Sequence, residues 1–320
     1  MTPDDIKTAD TPAARTTAAQ AKSAQDLGTQ DLGTQDKASQ DKAAKAQAVK
    51  DQNDWRKMWP SRTPEKSAPL LKALHILTRD GALNADSRRK LTQVLHLTQL
   101  LRPALENLLK DDGDPVLADV GAGKSYLGFI LYDLIFGPAG RGSVVGIEAR
   151  DKLVEASRAL ATQSGFDRMS FIAAPIAEAT LAGGRADMVT ALHACDTATD
   201  DAIRFALRHE AKVIALVPCC QAEVARLLDG QQGPMRQLWR HPIQRREFGA
   251  HVTNVIRGLV LEAHGYKVRV TELTGLEHSM KNELILAERH QRSNAQARGE
   301  LNRLIDQIGV KPALLDVMAD

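Results

Sequence analysis

A glycine-rich stretch in the middle of the chain has the residue types of a nucleotide-binding turn. Residues 119–128 read Asp-Val-Gly-Ala-Gly-Lys-Ser-Tyr-Leu-Gly and follow the apolar run 115–118. An apolar run before glycines predicts a strand that passes through a tight turn into a helix. Glycine lets backbone N–H groups approach a ligand closely, and the helix N-terminus adds a positive dipole end. The stretch is therefore typical of a site for an adenosine-type ligand.

Three binding motifs fit this turn in part. A P-loop requires G-x4-G-K-[ST], which the turn satisfies through Lys124 and Ser125, except that Ala118 replaces the first glycine. A dinucleotide turn requires G-x-G-x-x-G, whereas the glycines here are spaced G-x-G-x4-G. In the motif of class I S-adenosylmethionine (SAM) methyltransferases, an acidic residue precedes G-x-G, as Asp119 does here. The turn favours the third motif and leaves the other two open.

A carboxylate at the end of the next predicted strand separates these interpretations further. Residues 142–149 include a short apolar run that reaches Glu148, 25 residues beyond Gly123. A carboxylate there suits the ribose hydroxyls that SAM and NAD share, whereas a P-loop protein needs no acid at this point. SAM is therefore the predicted cofactor, and a P-loop-type NTPase that uses Lys124 and Ser125 is the alternative. The predicted cofactor-binding residues are Asp119, Gly121, Ala122, Gly123, Tyr126, Leu127, Glu148, Ala149, Ala174 and His193.

From Pro115 onward, short β-branched runs alternate with helical patterns. The first five runs are separated by helices, which predicts parallel βαβ units with ligands at the carboxyl ends of the strands. The last two runs are close enough to pair as an antiparallel hairpin. This is the arrangement of class I methyltransferases, so we predict an α/β, Rossmann-like, seven-stranded sheet. The predicted strands lie near 115–120, 143–148, 169–174, 187–193, 212–218, 266–273 and 282–288.

Polar and reactive side chains follow the fourth and fifth predicted strands, where a parallel sheet exposes its chemistry. The first segment, 191–200, contains His193, Cys195 and Asp196. We expect these three side chains to border the reactive methyl group, where a histidine or an aspartate can accept a proton from the attacking nucleophile. They are the predicted catalytic residues, together with Cys219, which follows the fifth predicted strand.

The second segment is Val-Pro-Cys-Cys-Gln at 217–221. Adjacent cysteines do not have the C-x2-C spacing that lets two thiolates from one turn bind one zinc ion, so we predict no metal. Because a proline precedes Cys219, this thiol is a candidate nucleophile for a covalent mechanism, although direct transfer is the main hypothesis. The residues predicted on the acceptor side are Pro218, Cys220, Gln221, Arg246, His251, His278, Lys281 and Asn282.

Together, the turn, residues 193–200 and residues 218–221 resemble a known family of methyltransferase domains. This family contains methyltransferase-like protein 25, the methyltransferase module of glutathione S-transferase C-terminal-domain-containing proteins, and bacterial relatives. The segments are more distantly similar to eukaryotic tRNA 2′-O-methyltransferases, which share a His-x-Cys-Gly-x-x-Thr-Asp segment and a later Cys-Cys pair. Asp196 stands where the eukaryotic segment has glycine. The resemblance covers about 71–287 and implies SAM-dependent methyl transfer, with RNA (tRNA or rRNA) as the expected acceptor.

The part of the chain before the sheet differs from it in composition. Residues 1–53 lack aromatic residues and contain tandem pentapeptides, so they are expected to form a disordered tail. Residues 54–112 are predicted to form a helical module, and positions 55–110 carry eleven Lys or Arg against four Asp or Glu. This basic face either binds phosphate backbones or is the solvated side of a packed helix. We assign 113–290 to the methyltransferase domain and 291–320 to a C-terminal helical extension.

The remaining expectations concern location and partners. The tail has no signal-peptide core, and no apolar run of 18 residues occurs, so we expect a soluble cytoplasmic protein without a membrane partner. RNA is the expected partner, and the sequence does not predict the oligomeric state. The non-catalytic alternative is an RNA-binding protein that keeps the methyltransferase fold as a scaffold.

Overall fold

The computed structural model describes residues 54–61, 64–111, 113–192, 194, 196–273 and 283–319. The tail predicted to be disordered lies outside these residues. The described chain begins with three helices, α1 (Trp55–Met58), α2 (Pro64–Ala73) and the long α3 (Ala85–Lys110). Asn84 caps α3 by accepting a hydrogen bond from the Ser87 N–H at 2.8 Å. Apolar residues three, four or seven positions apart give α3 one buried face.

Seven strands form a single sheet in the order β3-β2-β1-β4-β5-β7-β6. The first five are parallel, and β7 is antiparallel to both β5 and β6. This is the predicted class I methyltransferase arrangement, so the predicted fold class is confirmed. The strands are β1 (Val116–Val120), β2 (Ser143–Glu148), β3 (Met169–Ala173), β4 (Met188–Leu192), β5 (Val213–Val217), β6 (Tyr266–Glu272) and β7 (Glu283–Arg289).

Helices cover both faces of the sheet, which is why its central strands are almost wholly apolar. After β1 come α4 (Tyr126–Leu131), a π-helical turn (Tyr132–Phe136) and α5 (Gly137–Ala139). The later helices are α6 (Asp151–Ser164), α7 (Thr197–Arg208), α8 (Glu223–Leu227), α9 (Pro242–Ala263) and α10 (Ala295–Ile308), with 3-10 turns at Pro234–Leu238 and Ala313–Met318.

The first three helices share a hydrophobic core with the sheet. Leu91 and Leu101 of α3 are fully buried in the same cluster as Leu117 of β1 and Phe129 of α4. A second cluster on the other face joins β4 and β5 to α7, α9 and α10. The helices of the predicted basic module, 54–112, therefore share a core with the sheet, because their apolar stripe packs on it.

The 22-residue helix α9 was not among the predicted elements. The predicted acceptor-side residues Arg246 and His251 lie on this helix, and Gly249 between them is buried. Gly249 has no room for a side chain, since a Cβ there would lie 2.7 Å from the Ala225 nitrogen. Of the helices in the described ranges, none is long and apolar enough to span a membrane. The cytoplasmic location stays a prediction.

Candidate functional site

The glycine turn after β1 has the backbone conformation that its glycines permit. Gly121 and Gly123 have φ values of 61° and 60°, in the left-handed region that favours glycine. The Ala122 N–H donates to the Ile147 carbonyl at 2.9 Å, which ties the turn to β2. A Cβ on Gly121 would lie 3.4 Å from Ile176, so a side chain there would fill space beside the turn. The turn is a shallow cradle of the kind that an adenosine-type ligand requires.

Asp119 holds this turn from beneath. Its Oδ1 accepts from the Thr190 hydroxyl at 2.9 Å, and its Oδ2 accepts from the Ser125 hydroxyl at 3.1 Å and the Gly128 N–H at 3.3 Å. The side chain is buried, and burial raises the pKa of this carboxyl to about 6 although the three hydrogen bonds lower it. Asp119 therefore fixes β1, β4 and the start of α4 in place, in addition to its predicted position beside the cofactor.

Glu148 lies at the end of β2, as predicted, and its carboxylate reaches back to the turn. Its Oε2 accepts from the Gly123 N–H at 2.8 Å, and its Oε1 accepts from Arg150 through Nε at 2.7 Å and the backbone N–H at 3.1 Å. Burial raises the pKa of Glu148, but the hydrogen bonds from Arg150 and Gly123 outweigh it, and the pKa is lowered. Glu148 is thus an ionised acceptor beside the glycine turn, and its role as a ribose ligand stays a prediction.

The same contacts argue against the P-loop interpretation. A P-loop serine must face a phosphate-bound metal ion, but Ser125 is buried and donates its hydroxyl to Asp119. The Gly123 N–H, which a P-loop would direct at phosphate, donates to the Glu148 carboxylate instead. Lys124 is exposed. The turn is therefore organised around two carboxylates, and a phosphate there would meet like charge.

Asp196, predicted to border the reactive methyl, binds the helix that follows β5. Its Oδ1 accepts from the backbone N–H groups of Ala222 and Glu223 at 2.9 and 3.3 Å, and its Oδ2 pairs with Arg226 at 3.2 Å. Burial raises its pKa, but these donors outweigh burial, and the pKa is lowered. A carboxylate held in this way is a weak base and joins the ends of β4 and β5, and the catalytic role of Asp196 stays a prediction.

Two other predicted catalytic residues, His193 and Cys195, lie outside the described residues. Cys219 and Cys220 follow β5, and their sulfur atoms are 3.6 Å apart. Cys219 is half-buried and Cys220 is exposed. Within the described ranges, no group of three His, Cys, Asp or Glu side chains is arranged to hold a metal ion.

A buried polar network connects α9 to the segments that follow β4 and β5. Arg257 of α9 donates from Nε to Asp200 at 2.7 Å and from Nη2 to the Asp196 carbonyl at 2.8 Å. It also donates to Asn254, which accepts a second hydrogen bond from the predicted acceptor residue Gln221 at 2.8 Å. Burial raises the pKa of Asp200, and the Arg257 charge opposes it. Gln221 is thus a buried member of this network.

A cavity of about 460 Å³ opens beside the turn, between α3 and the ends of β4 and β5. We call it the α3 cavity. Its wall is mainly apolar, and three of its lining residues, His75, Lys90 and Lys124, are exposed and therefore lie at its opening. Tyr126 and Leu127, both predicted to bind the cofactor, line it as well. Its α3 wall, including Gln93 and Val94, was not predicted, because those residues match the pattern of an ordinary packed helix.

The other predicted site residues are spread around this edge. Ala149 is exposed after β2, and the Ala174 N–H donates to the Glu148 carbonyl at 3.1 Å. Pro218 is buried at the end of β5, whereas Arg246 and His251 are exposed on the first turns of α9. His278, Lys281 and Asn282 lie outside the described residues.

Several residues that organise the site carried no prediction from the sequence. Arg150 could have been found, since a cation two residues after Glu148 is a local signal. Thr190 and Arg257 could not, because their partners Asp119 and Asp200 are 71 and 57 positions away.

Comparison with known proteins agrees with this geometry. Residues 89–227 match the family model described as a methyltransferase domain. The predictions of a SAM-dependent methyltransferase and of SAM as its cofactor are confirmed. The finer resemblance, to the family of methyltransferase-like protein 25, stays a prediction.

Solved structures also resemble the chain, at low identity. A magnesium protoporphyrin IX methyltransferase from Synechocystis PCC 6803 has 14% identity and a TM-score of 0.41, covering 70% of this chain and 96% of that one. A SAM-dependent methyltransferase from Aquifex aeolicus has 18% identity and a TM-score of 0.35, covering 57% and 88%. An rRNA methylase from Streptococcus thermophilus has 11% identity and a TM-score of 0.38, covering 59% and 95%. No curated protein matches the chain.

Proposed function

We propose that the methyltransferase domain transfers the methyl group of SAM directly to a nucleophilic atom of an RNA. One observation supports this cofactor site above the others. The glycine turn after β1 donates a hydrogen bond from the Gly123 N–H to the ionised Glu148 at the end of the neighbouring strand β2. SAM supplies an electrophilic methyl group, to which the acceptor atom bonds as the carbon–sulfur bond breaks and the acceptor loses a proton.

The residues of this chain divide the work of binding. Glu148 accepts hydrogen bonds from the two ribose hydroxyls. These hydroxyls displace the Arg150 N–H groups from the carboxylate or bind it beside them. The turn residues Gly121 and Gly123 admit the methionine part, and Asp119 keeps the turn in shape. A held geometry of this kind can lower the barrier by about 7–11 kcal/mol. Because Asp196 is a weak base, we assign proton removal to His193.

The RNA acceptor is supported by positive charge at the opening of the α3 cavity. Lys90 and Lys124 lie there on two different elements. Within the basic run 88–90, Arg89 pairs with Asp86 and Arg88 approaches the Met58 sulfur at 3.9 Å, so Lys90 is the member that lines the cavity. Phosphate groups favour such an opening because each Lys contact releases condensed counterions.

The cofactor site is tested by calorimetry with SAM, S-adenosylhomocysteine, ATP·Mg and NAD. We expect micromolar binding of the first two by the full chain. Glu148→Gln should weaken both about 10- to 100-fold, because charged hydrogen bonds to the ribose are lost. The matched control is Glu155→Gln on the exposed side of α6, which should bind as the wild type does. Binding of ATP·Mg alone would refute the cofactor assignment.

The acceptor is tested with tritiated SAM and total cellular RNA at several salt concentrations. Lys90→Glu should weaken RNA binding and lower the slope of log affinity against log salt by about one. Lys110→Glu is the matched control, since it makes the same charge change on the same helix about 30 Å away. RNA binding without incorporation of label would favour the non-catalytic alternative. Incorporation into protein or small molecules but not RNA would refute the proposal.

A further inference from the structure

The α3 cavity lies where an acceptor group must approach the cofactor. Asp119 and Ala122 of the turn form one end of it, and Leu192 and Val217 at the last positions of β4 and β5 form another. Its volume of about 460 Å³ is within the range of sites for small organic groups, about 300–1,000 Å³. Glu148, the predicted ribose ligand, is not among its lining residues. The cavity therefore adjoins the cofactor site on the side away from the ribose.

We infer that the α3 cavity receives the base of the nucleotide that is methylated, turned out of its stack. This inference rests on the proposed RNA substrate. The apolar side chains of Val94, Leu97 and Leu273 offer flat contact to ring faces, which favours a base over a phosphate or an extended polar chain. The exposed cations at the opening suit the phosphates on either side of such a base.

Two polar side chains in the wall give this base a hydrogen-bonding partner. Gln93 on α3 carries both a donor and an acceptor and is half-buried. The Tyr126 hydroxyl is buried and has no hydrogen-bond partner among the described residues. An unpartnered buried hydroxyl is costly, and a ring nitrogen or carbonyl oxygen of a bound base would satisfy it.

Blocking the cavity from α3 tests the inference. Gln93→Trp places a bulky ring in the cavity from a half-buried position, and Gln99→Trp makes the same change on the exposed side of the helix. For each full-length variant, we would measure S-adenosylhomocysteine affinity by calorimetry, affinity for total cellular RNA by filter binding, and tritium transfer to that RNA. We expect Gln93→Trp to lose at least 100-fold in transfer while both affinities stay within threefold. Gln99→Trp should behave as the wild type.

Tyr126→Phe provides a second test that keeps the ring and the fold. The inference moves Tyr126 from the predicted cofactor-binding residues to the acceptor site, so we expect about tenfold slower transfer with unchanged affinity for S-adenosylhomocysteine. A tenfold loss of that affinity in both cavity variants would overturn the inference, because the cavity would then hold the methionine end of the cofactor. Wild-type transfer by Gln93→Trp would also overturn it while leaving the RNA proposal intact. If the wild-type chain binds SAM but labels no RNA, the proposed substrate itself fails.

Discussion

Replacing Arg257 by methionine should destabilise the protein by about 3–5 kcal/mol, the usual cost of removing one partner of a buried ion pair. The side chains of Arg257 and Asp200 are 1% and 4% exposed, so solvent cannot replace the lost charge. Methionine has a similar volume but none of the three donors that reach Asp200, Asn254 and the Asp196 carbonyl. The loss is a large share of a typical total stability of about 5–15 kcal/mol.

The pH dependence of this loss follows from Asp200. With Arg257 gone, burial raises the pKa of Asp200 further above its usual value, because the opposing charge is absent. A raised folded-state pKa gives stability that is present at low pH and lost as the pH rises. The deficit of Arg257→Met should therefore be smaller at pH 5 than at pH 8.

Urea denaturation followed by tryptophan fluorescence measures both effects. The double variant Asp200→Asn with Arg257→Met should recover part of the loss, since no unpaired charge remains. Arg102→Met is the control, because Arg102 pairs with Glu106 on the exposed side of α3 and should contribute about 0.5 kcal/mol or less. A loss below about 1 kcal/mol for Arg257→Met, or a double variant no more stable than the single one, would refute the reasoning.

Three further predictions concern the turn and the strand ends. The folded-state pKa of Asp119 is about 6, against an ordinary value of 3.8, so the stability that this raised pKa provides is full below pH 3.8, and about 3 kcal/mol of it is lost as the pH rises through 6. The stability of the wild type relative to Asp119→Asn should therefore fall over that range in urea titrations. A constant difference between the two proteins would contradict this prediction. Gly128→Ala should lower the free energy of unfolding by about 1–3 kcal/mol, because the new Cβ would lie 2.7 Å from the Ser125 hydroxyl oxygen. Gly299→Ala should instead stabilise α10, because the atom nearest to its new Cβ is 3.7 Å away. Thermal melts that rank the two variants in the opposite order would show that the packing around Gly128 is not tight. Asp196→Ala should lower the free energy of unfolding by about 1–2 kcal/mol, because the start of α8 loses its cap. Asp196→Asn should lower it clearly less, since the amide oxygen still accepts a hydrogen bond from the start of α8. Equal losses of stability in denaturation experiments would exclude capping as the main role of Asp196.

The elements of the sheet and the cofactor turn were predictable because their signals are local. Each strand shows as a β-branched run bounded by turn residues, and all seven observed strands lie within a residue or two of the predicted positions. The acid before the glycines and the acid at the end of β2 both fell at strand ends, as predicted. The helix α9 was missed because its first turns are polar and its buried side depends on contacts with α8.

What only the tertiary structure decided is how side chains from distant positions meet. The sequence placed Asp196 near the reacting group, but the folded chain directs its carboxylate to the start of α8, 26 positions away. The network around Arg257 and the α3 cavity likewise combine residues from several elements, and no local pattern encodes which side chains will face each other. Short-range periodicity and glycine spacing therefore determined the fold class, the turn and the cofactor. Burial and long-range pairing decided which carboxylates organise the site, because desolvation and hydrogen bonding depend on neighbours that are brought together only by packing.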